Sequence, residues 1–130
     1  AFRAYVESHP DIDRELDHRL IQTAREHDNA IVEGRLAGWM TQRERIPAFR
    51  IWMTASEPTR IARLVERDGG TPEDVRNEHR QRMADDTERY RTVYGLDIED
   101  MAPYDLIIET DNRSPEEIVE KIITESQKKE

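Results

Sequence analysis

An α/β chain built around a parallel sheet is the fold class this sequence predicts. Short apolar runs at 30–33, 48–54 and 104–109 alternate with amphipathic helical stretches, the pattern of βαβ units. A chain of 130 residues has room for at most one domain, and no repeat, low-complexity tract or linker divides it.

Each element has a local reason. Ile12, Leu16 and Leu20 recur every four residues, with Ile21 and Ala24 widening the stripe, so 11–27 reads as a helix. Asp11 follows Pro10 and is placed to cap it, and His27-Asp28-Asn29 ends it. Ala30-Ile31-Val32 then breaks at Glu33-Gly34-Arg35, predicting a short buried strand that enters a polar turn. Residues 41–47 read as a polar connection. Phe49, Ile51 and Met53 alternate with Arg50, Trp52 and Thr54 in a second strand. Ser56-Glu57-Pro58 opens a helix by capping, with a proline in its first turn. That helix carries Ile61, Leu64 and Val65 and stops at Asp68-Gly69-Gly70. Thr71-Pro72-Glu73-Asp74 opens the next, which runs to about Tyr94-Gly95. A third strand over 104–109 follows Pro103. Ser114-Pro115-Glu116-Glu117 caps the last helix, whose Ile118, Val119, Ile122 and Ile123 are expected to face the sheet.

Composition narrows the function. Hydrophobic residues make up 35% and charged residues 38%, so the core is thin for the length. A formal charge of -9 argues against a general nucleic-acid binder, which carries a basic footprint. It leaves room for a small phosphorylated ligand, since a few placed arginines suffice. With no cysteine there is neither a disulfide framework nor a thiolate metal site. No apolar run approaches membrane-spanning length, and a cytoplasmic protein is expected. Acidic residues are abundant and the only lysines are Lys121, Lys128 and Lys129, a surface that suits a halophile.

Two places carry residue types suited to chemistry. In open α/β sheets ligands lie beyond the carboxyl ends of the strands, so Arg35, just past the first apolar run, is placed to meet one. Its planar fork suits phosphate or carboxylate, and Gly34 lets backbone approach closely. The alternative is that Arg35 caps the strand end and pairs with Glu33 or another neighbour. The helix over 71–94 has Met83 as its only large apolar residue between Val75 and Tyr90. Such a helix is solvated and laced with ion pairs, or it covers a ligand. Arg82, Asp86 and Arg89 share one of its faces, with Arg76, Arg80 and Arg91 nearby. His9, His18, His27 and His79 show no metal-ligand spacing, and Trp39 and Trp52 read as packing residues.

Glu33-Gly34-Arg35-Leu36-Ala37-Gly38-Trp39 closely resembles the central segment of the archaeal-type cytidylate kinases, small P-loop nucleoside monophosphate kinases. Further segments resemble that family in the same order: residues 11–17, Glu88-Arg89-Tyr90, Tyr94-Gly95-Leu96-Asp97 and Tyr104-Asp105-Leu106-Ile107-Ile108. The resemblance covers essentially the whole chain. It implies a P-loop NTPase-like kinase fold and transfer of the γ-phosphoryl group of ATP to CMP or dCMP with magnesium. Its partners would be small-molecule nucleotides rather than nucleic acid or membrane, and a monomer is favoured. By position, residues 71–95 match the family's lid. Within it Asp86 and Arg89 match the pair that reads the cytosine ring and its phosphate, and Arg82 matches a lid arginine. Arg82 and Arg89 are thus the implied catalytic charges. Arg35, with Gly34, matches the arginine that holds the monophosphate. Arg60 matches the ATP side best among Arg60, Arg63 and Arg67, a surface face being the alternative. Glu33 would lie behind the nucleotide or magnesium, while Arg14 and Asp17 match without a role.

The family's Gly-rich phosphate loop has no counterpart here. The glycines are Gly34, Gly38, Gly69, Gly70 and Gly95, and no Gly-x-x-x-x-Gly-Lys-Ser/Thr can be written from them. The chain also begins at Ala1 inside an expected helix. The expectation is a single partial domain over 1–130, the C-terminal two-thirds of a kinase domain, lacking its first, central strand. The strand at 30–33 would then stand apart from the other two, and the chain alone would be inactive. An inactive nucleotide-binding or structural fragment, or a kinase of another base specificity, are the rival readings.

Overall fold

The computed structural model describes residues 10–128. The expected helical start at Ala1 and His9 lie outside the described residues, as do the side chains of residues 10–13, including the Asp11 cap and Ile12. Among the described residues seven elements follow in order: α1 (Pro10–Glu26), α2 (Ala37–Arg43), β1 (Ile51–Thr54), α3 (Glu57–Asp68), α4 (Pro72–Tyr94), β2 (Leu106–Glu109) and α5 (Pro115–Lys128). The described residues divide between two compact units, one of residues 10–50 with 98–105 and one of residues 51–97 with 106–128.

In the first unit α1 packs on α2, and Ile21, Leu36, Met40 and Ile98 are buried. Helix α2 occupies residues expected to span the end of a turn and the start of a polar connection. It lacks a side-chain cap, and packing holds it: Gly38 lies so close to Tyr104 that a Cβ there would stand 2.4 Å from the ring. Arg50 anchors the loop behind it, donating from Nε to Thr41 Oγ1 at 2.9 Å and from Nη2 to the Ile46 carbonyl at 2.6 Å. Its backbone N–H donates to Asp105 Oδ2, and its carbonyl accepts from the Asp105 N–H, both at 2.8 Å.

The run at 30–33 corrects an expectation. No strand forms there, and Ile31 is fully exposed at 101%. Local apolar pattern can propose a strand, but a strand exists only by pairing its N–H and C=O groups with a neighbour. Among the described residues that segment has no such neighbour, so the expected three-strand arrangement reduces to two.

In the second unit β1 and β2 pair in parallel, with Ile51 opposite Leu106 and Thr54 opposite Glu109. Helices α3 and α4, packed on each other, form the crossover between them. Ile61, Tyr90, Leu96 and Ile108 are the buried apolar residues, Ile108 at 1% exposure. Full burial of an isoleucine stabilises by about 1.5–3 kcal/mol. Helix α5 lies on β2 but covers less than its sequence stripe suggests: Val119 and Ile123 are about half exposed. Two strands are too narrow to cover a stripe of more than about 100°.

Helix boundaries follow their capping chemistry closely. Thr71 Oγ1 accepts from the Asp74 N–H, and Gly95 closes α4 in the left-handed conformation at φ 65°. Ser114 Oγ accepts from the Glu117 N–H at the start of α5. Ser56 is the exception. It holds the N-cap position of α3, but its hydroxyl pairs with Thr59 Oγ1 rather than accepting from a backbone N–H.

Candidate functional site

Helix α4 sorts its charges into two groups. Arg76 and Arg80 turn to the first turn of α3, where Arg80 forks onto the Glu57 carboxylate at 2.6–3.2 Å and Arg76 Nε stands 3.8 Å away. The hydrogen bond from Arg80 holds the Glu57 carboxyl below its ordinary value against the opposing effect of burial. Arg91 reaches Glu88 at 4.0 Å, and Arg82 is exposed. The ion-pair ladder therefore describes Arg76, Arg80 and Arg91.

Asp86 and Arg89 do not belong to that ladder. Asp86 is only 7% exposed, and Arg89 Nη1 lies 3.4 Å from its Oδ1. The Arg89 guanidinium also stands over the Tyr90 ring, 5.2 Å from its centroid, within cation–π range. A carboxylate and a guanidinium held out of bulk water interact more strongly with any polar ligand that reaches them. The spacing of three along the helix, visible in the sequence, brings the pair together. Its burial was not visible there.

A second cluster sits just past the carboxyl ends of β1 and β2. Thr110 is buried at 6% exposure, and both its N–H (2.8 Å) and its hydroxyl (3.0 Å) donate to the Thr54 carbonyl. Arg63 closes on the same residue from α3, with Nη1 to Thr110 Oγ1 and Nη2 to the Thr110 carbonyl, both at 2.9 Å. Arg60, one turn earlier, donates once from Nη2 to Thr54 Oγ1 at 3.1 Å. The next residue, Asp111, accepts from the Ser56 N–H at 2.8 Å, and the Ser56 hydroxyl and N–H hold its carboxyl below the ordinary value. Thr54, Ser56, Thr110 and Asp111 were missed by sequence reasoning. The signal available was a threonine or serine just beyond each of two apolar runs.

The remaining candidates lie in the other unit. Gly34 packs on α1, where a Cβ would stand 3.3 Å from Leu20 Cδ1, and its carbonyl accepts from the Ala37 N–H at 3.1 Å. Arg35, Glu33 and Arg14 are exposed, while Asp17 and Trp39 are half-buried. Arg67, on α3 in the second unit, forks onto its neighbour Asp68 at the surface. Among the described residues no group of three His, Cys, Asp or Glu side chains could hold a metal ion, and no helix is long and apolar enough to cross a membrane.

The described residues thus form a mixed α/β chain with parallel pairing, arginines at the strand ends and a buried acid–arginine pair on a polar helix. A family model described as "Cytidylate kinase-like family" matches residues 2–112, and the chain belongs to that family. Among its relatives, the cytidylate kinase of Pyrococcus horikoshii is 42% identical over 115 residues, covering 88% of this chain and 58% of the relative. That of Thermoplasma acidophilum is 38% identical over 117 residues, covering 90% and 62%. That of Halobacterium salinarum is 35% identical over 122 residues, covering 94% and 62%. The chain thus spans about three-fifths of the length of these relatives.

Proposed function

We propose that this chain is the nucleotide-recognising and lid-bearing part of a cytoplasmic nucleoside monophosphate kinase that transfers the γ-phosphoryl group of ATP to CMP or dCMP. Family membership, together with the relatives that carry the name cytidylate kinase, is the observation that carries this reading. The buried Asp86–Arg89 pair supports it, because a carboxylate out of water can accept from the exocyclic amino group of cytosine and discriminate it from the oxygen of uracil.

Phosphoryl transfer asks for positioning and for neutralisation of charge on the equatorial oxygens, with little covalent work by the protein. Arg82 and Arg89 on α4 are the lid charges in this reading, and lid closure also excludes water. Arg35 and Gly34 hold the monophosphate, and Arg60 meets the ATP side. The ATP phosphates would bring magnesium as their counter-ion, which would supply part of the charge neutralisation. A P-loop NTPase-like fold completes the proposal. Its phosphate loop comes from sequence outside these 130 residues, since none of the glycines and lysines present can form one.

A coupled ADP-release assay tests the reading. The 130-residue chain alone should show no CMP-dependent turnover. A chimera joining it to a Gly-rich N-terminal phosphate-loop segment should turn over CMP. A folded chimera that binds ATP and leaves CMP unphosphorylated would refute the kinase reading.

A further inference from the structure

Two arginines one turn apart on α3 engage the strand ends differently, and the difference assigns them different tasks. Arg60 makes a single hydrogen bond, to Thr54 Oγ1, so among the described residues most of its donor fork remains available. Arg63 uses both ends of its fork on Thr110, a buried residue whose N–H and hydroxyl are already fixed to Thr54. Thr110 is thus held from two elements at once. It is also the first residue of the connection from β2 to α5, whose second residue, Asp111, is tied to Ser56.

We propose that Arg63 is a positioning residue: acting through Thr110, it fixes the connection over 110–114 across the carboxyl ends of β1 and β2 as a rigid wall of the ATP side of the site. This rests on the kinase reading above for the identity of the ligand, but the positioning itself does not depend on it. Ligands of open parallel sheets meet the strands at these ends, and a wall that drifts there weakens the bound nucleotide before it affects anything remote. A guanidinium is suited to the task because its planar fork holds a hydroxyl and a carbonyl of one residue together, which an ammonium cannot reproduce. Arg63 therefore touches protein only, and Arg60 is left as the α3 cation for the nucleotide itself.

The test uses Arg63→Gln, Arg63→Lys and Thr110→Val in the catalytically competent chimera, with KM for ATP, KM for CMP and kcat measured separately. Arg63→Gln should raise KM for ATP by roughly tenfold, a fraction of the 100-fold loss that misplacement by 1 Å can cause, with KM for CMP nearly unchanged. Thr110→Val should reproduce the effect, and the double variant should lose no more than about twofold beyond the worse single one, because both break the same contact. Arg63→Lys should recover only part of the loss. Amide hydrogen exchange on the same variants reads the wall without turnover. Exchange at Thr110 and Asp111, whose N–H groups donate to the Thr54 carbonyl and to Glu109, should accelerate while that of α4 stays as it was. Unchanged exchange at 110–111 overturns the proposal even if no kinase activity is found. Faster exchange with an unaltered KM for ATP overturns the assignment of that wall to the ATP side. A chimera without CMP turnover counts against the kinase reading alone.

Discussion

Gly38→Ala is a small change with a calculable result. The added Cβ would stand 2.4 Å from Tyr104 Cε1, 2.7 Å from Cζ and 2.9 Å from the hydroxyl oxygen. Carbon atoms in contact prefer about 3.5–4.0 Å, so the half-buried ring or the short helix must shift by more than about 1 Å. Overpacking of this kind costs about 1–3 kcal/mol. Alanine in a helix gains about 0.8–1.0 kcal/mol over glycine, which offsets part of that cost. The net expectation is destabilisation by about 1 kcal/mol, or roughly 3–5 °C in thermal midpoint for a chain of this size. Urea unfolding of four proteins decides it: wild type, Gly38→Ala, Tyr104→Ala and the double variant. In the Tyr104→Ala background the steric term disappears, so the same alanine should stabilise by about 0.5–1 kcal/mol. That reversal of sign is the signature. A stabilising Gly38→Ala in the presence of Tyr104 would refute the close packing of α2 on that ring.

Three further outcomes are expected. In the active chimera, Asp86→Asn should weaken CMP more than UMP, the lost charged hydrogen bond being worth roughly 1.5–3 kcal/mol. Arg35→Ala should weaken both alike, because phosphate contacts position a ligand without identifying its base. Steady-state kinetics separate these cases, and equal losses for the two bases would make Asp86 a purely structural partner of Arg89. Asp111 should contribute to acid sensitivity: its carboxyl lies below the ordinary value of 3.8 because Ser56 hydrogen-bonds the charged form. The stabilisation is complete above 3.8 and is lost as pH falls through the lower folded value, so wild type should lose stability there and Asp111→Asn should lack that component. Thermal midpoints measured along an acid series check it, and parallel curves for the two proteins would refute it.

What the sequence made legible was what short-range chemistry decides. Thr71-Pro72 and Gly95 fix the ends of α4 within a residue, because capping and a left-handed stop act over one turn. The alternation through Ile51 and Met53, and the apolar run ending at Ile108, likewise located both strands. The misreadings share one cause, which is that distant partners decide. Residues 30–33 have the composition of a strand and no partner among the described residues. Helix α2 is uncapped and owes its place to Tyr104, far along the chain. Arg60, Arg63 and Arg67 look equivalent on a helical face. Only the arrival of Thr110, 47 residues beyond Arg63, distinguishes the one that holds the loop. Asp86 and Arg89 were singled out by spacing and by resemblance, whereas their burial depends on packing that no local pattern reveals.

The crossover between β1 and β2 also has a consequence for how the chain is made. The two strands pair with Ile51 opposite Leu106, and the backbone hydrogen bond from the Asp105 N–H to the Arg50 carbonyl just before them spans 55 residues. At a synthesis rate of about 5–20 residues per second, β1 leaves the ribosome roughly 3–11 s before its neighbour. Helices form in about a microsecond, so α3 and α4 have ample time to fold before β2 exists. During that interval Ile51-Trp52-Met53 presents unpaired backbone and apolar side chains, the combination that invites pairing with another nascent chain. Stalling translation between residues 94 and 106 should therefore raise aggregation more than stalling after 109.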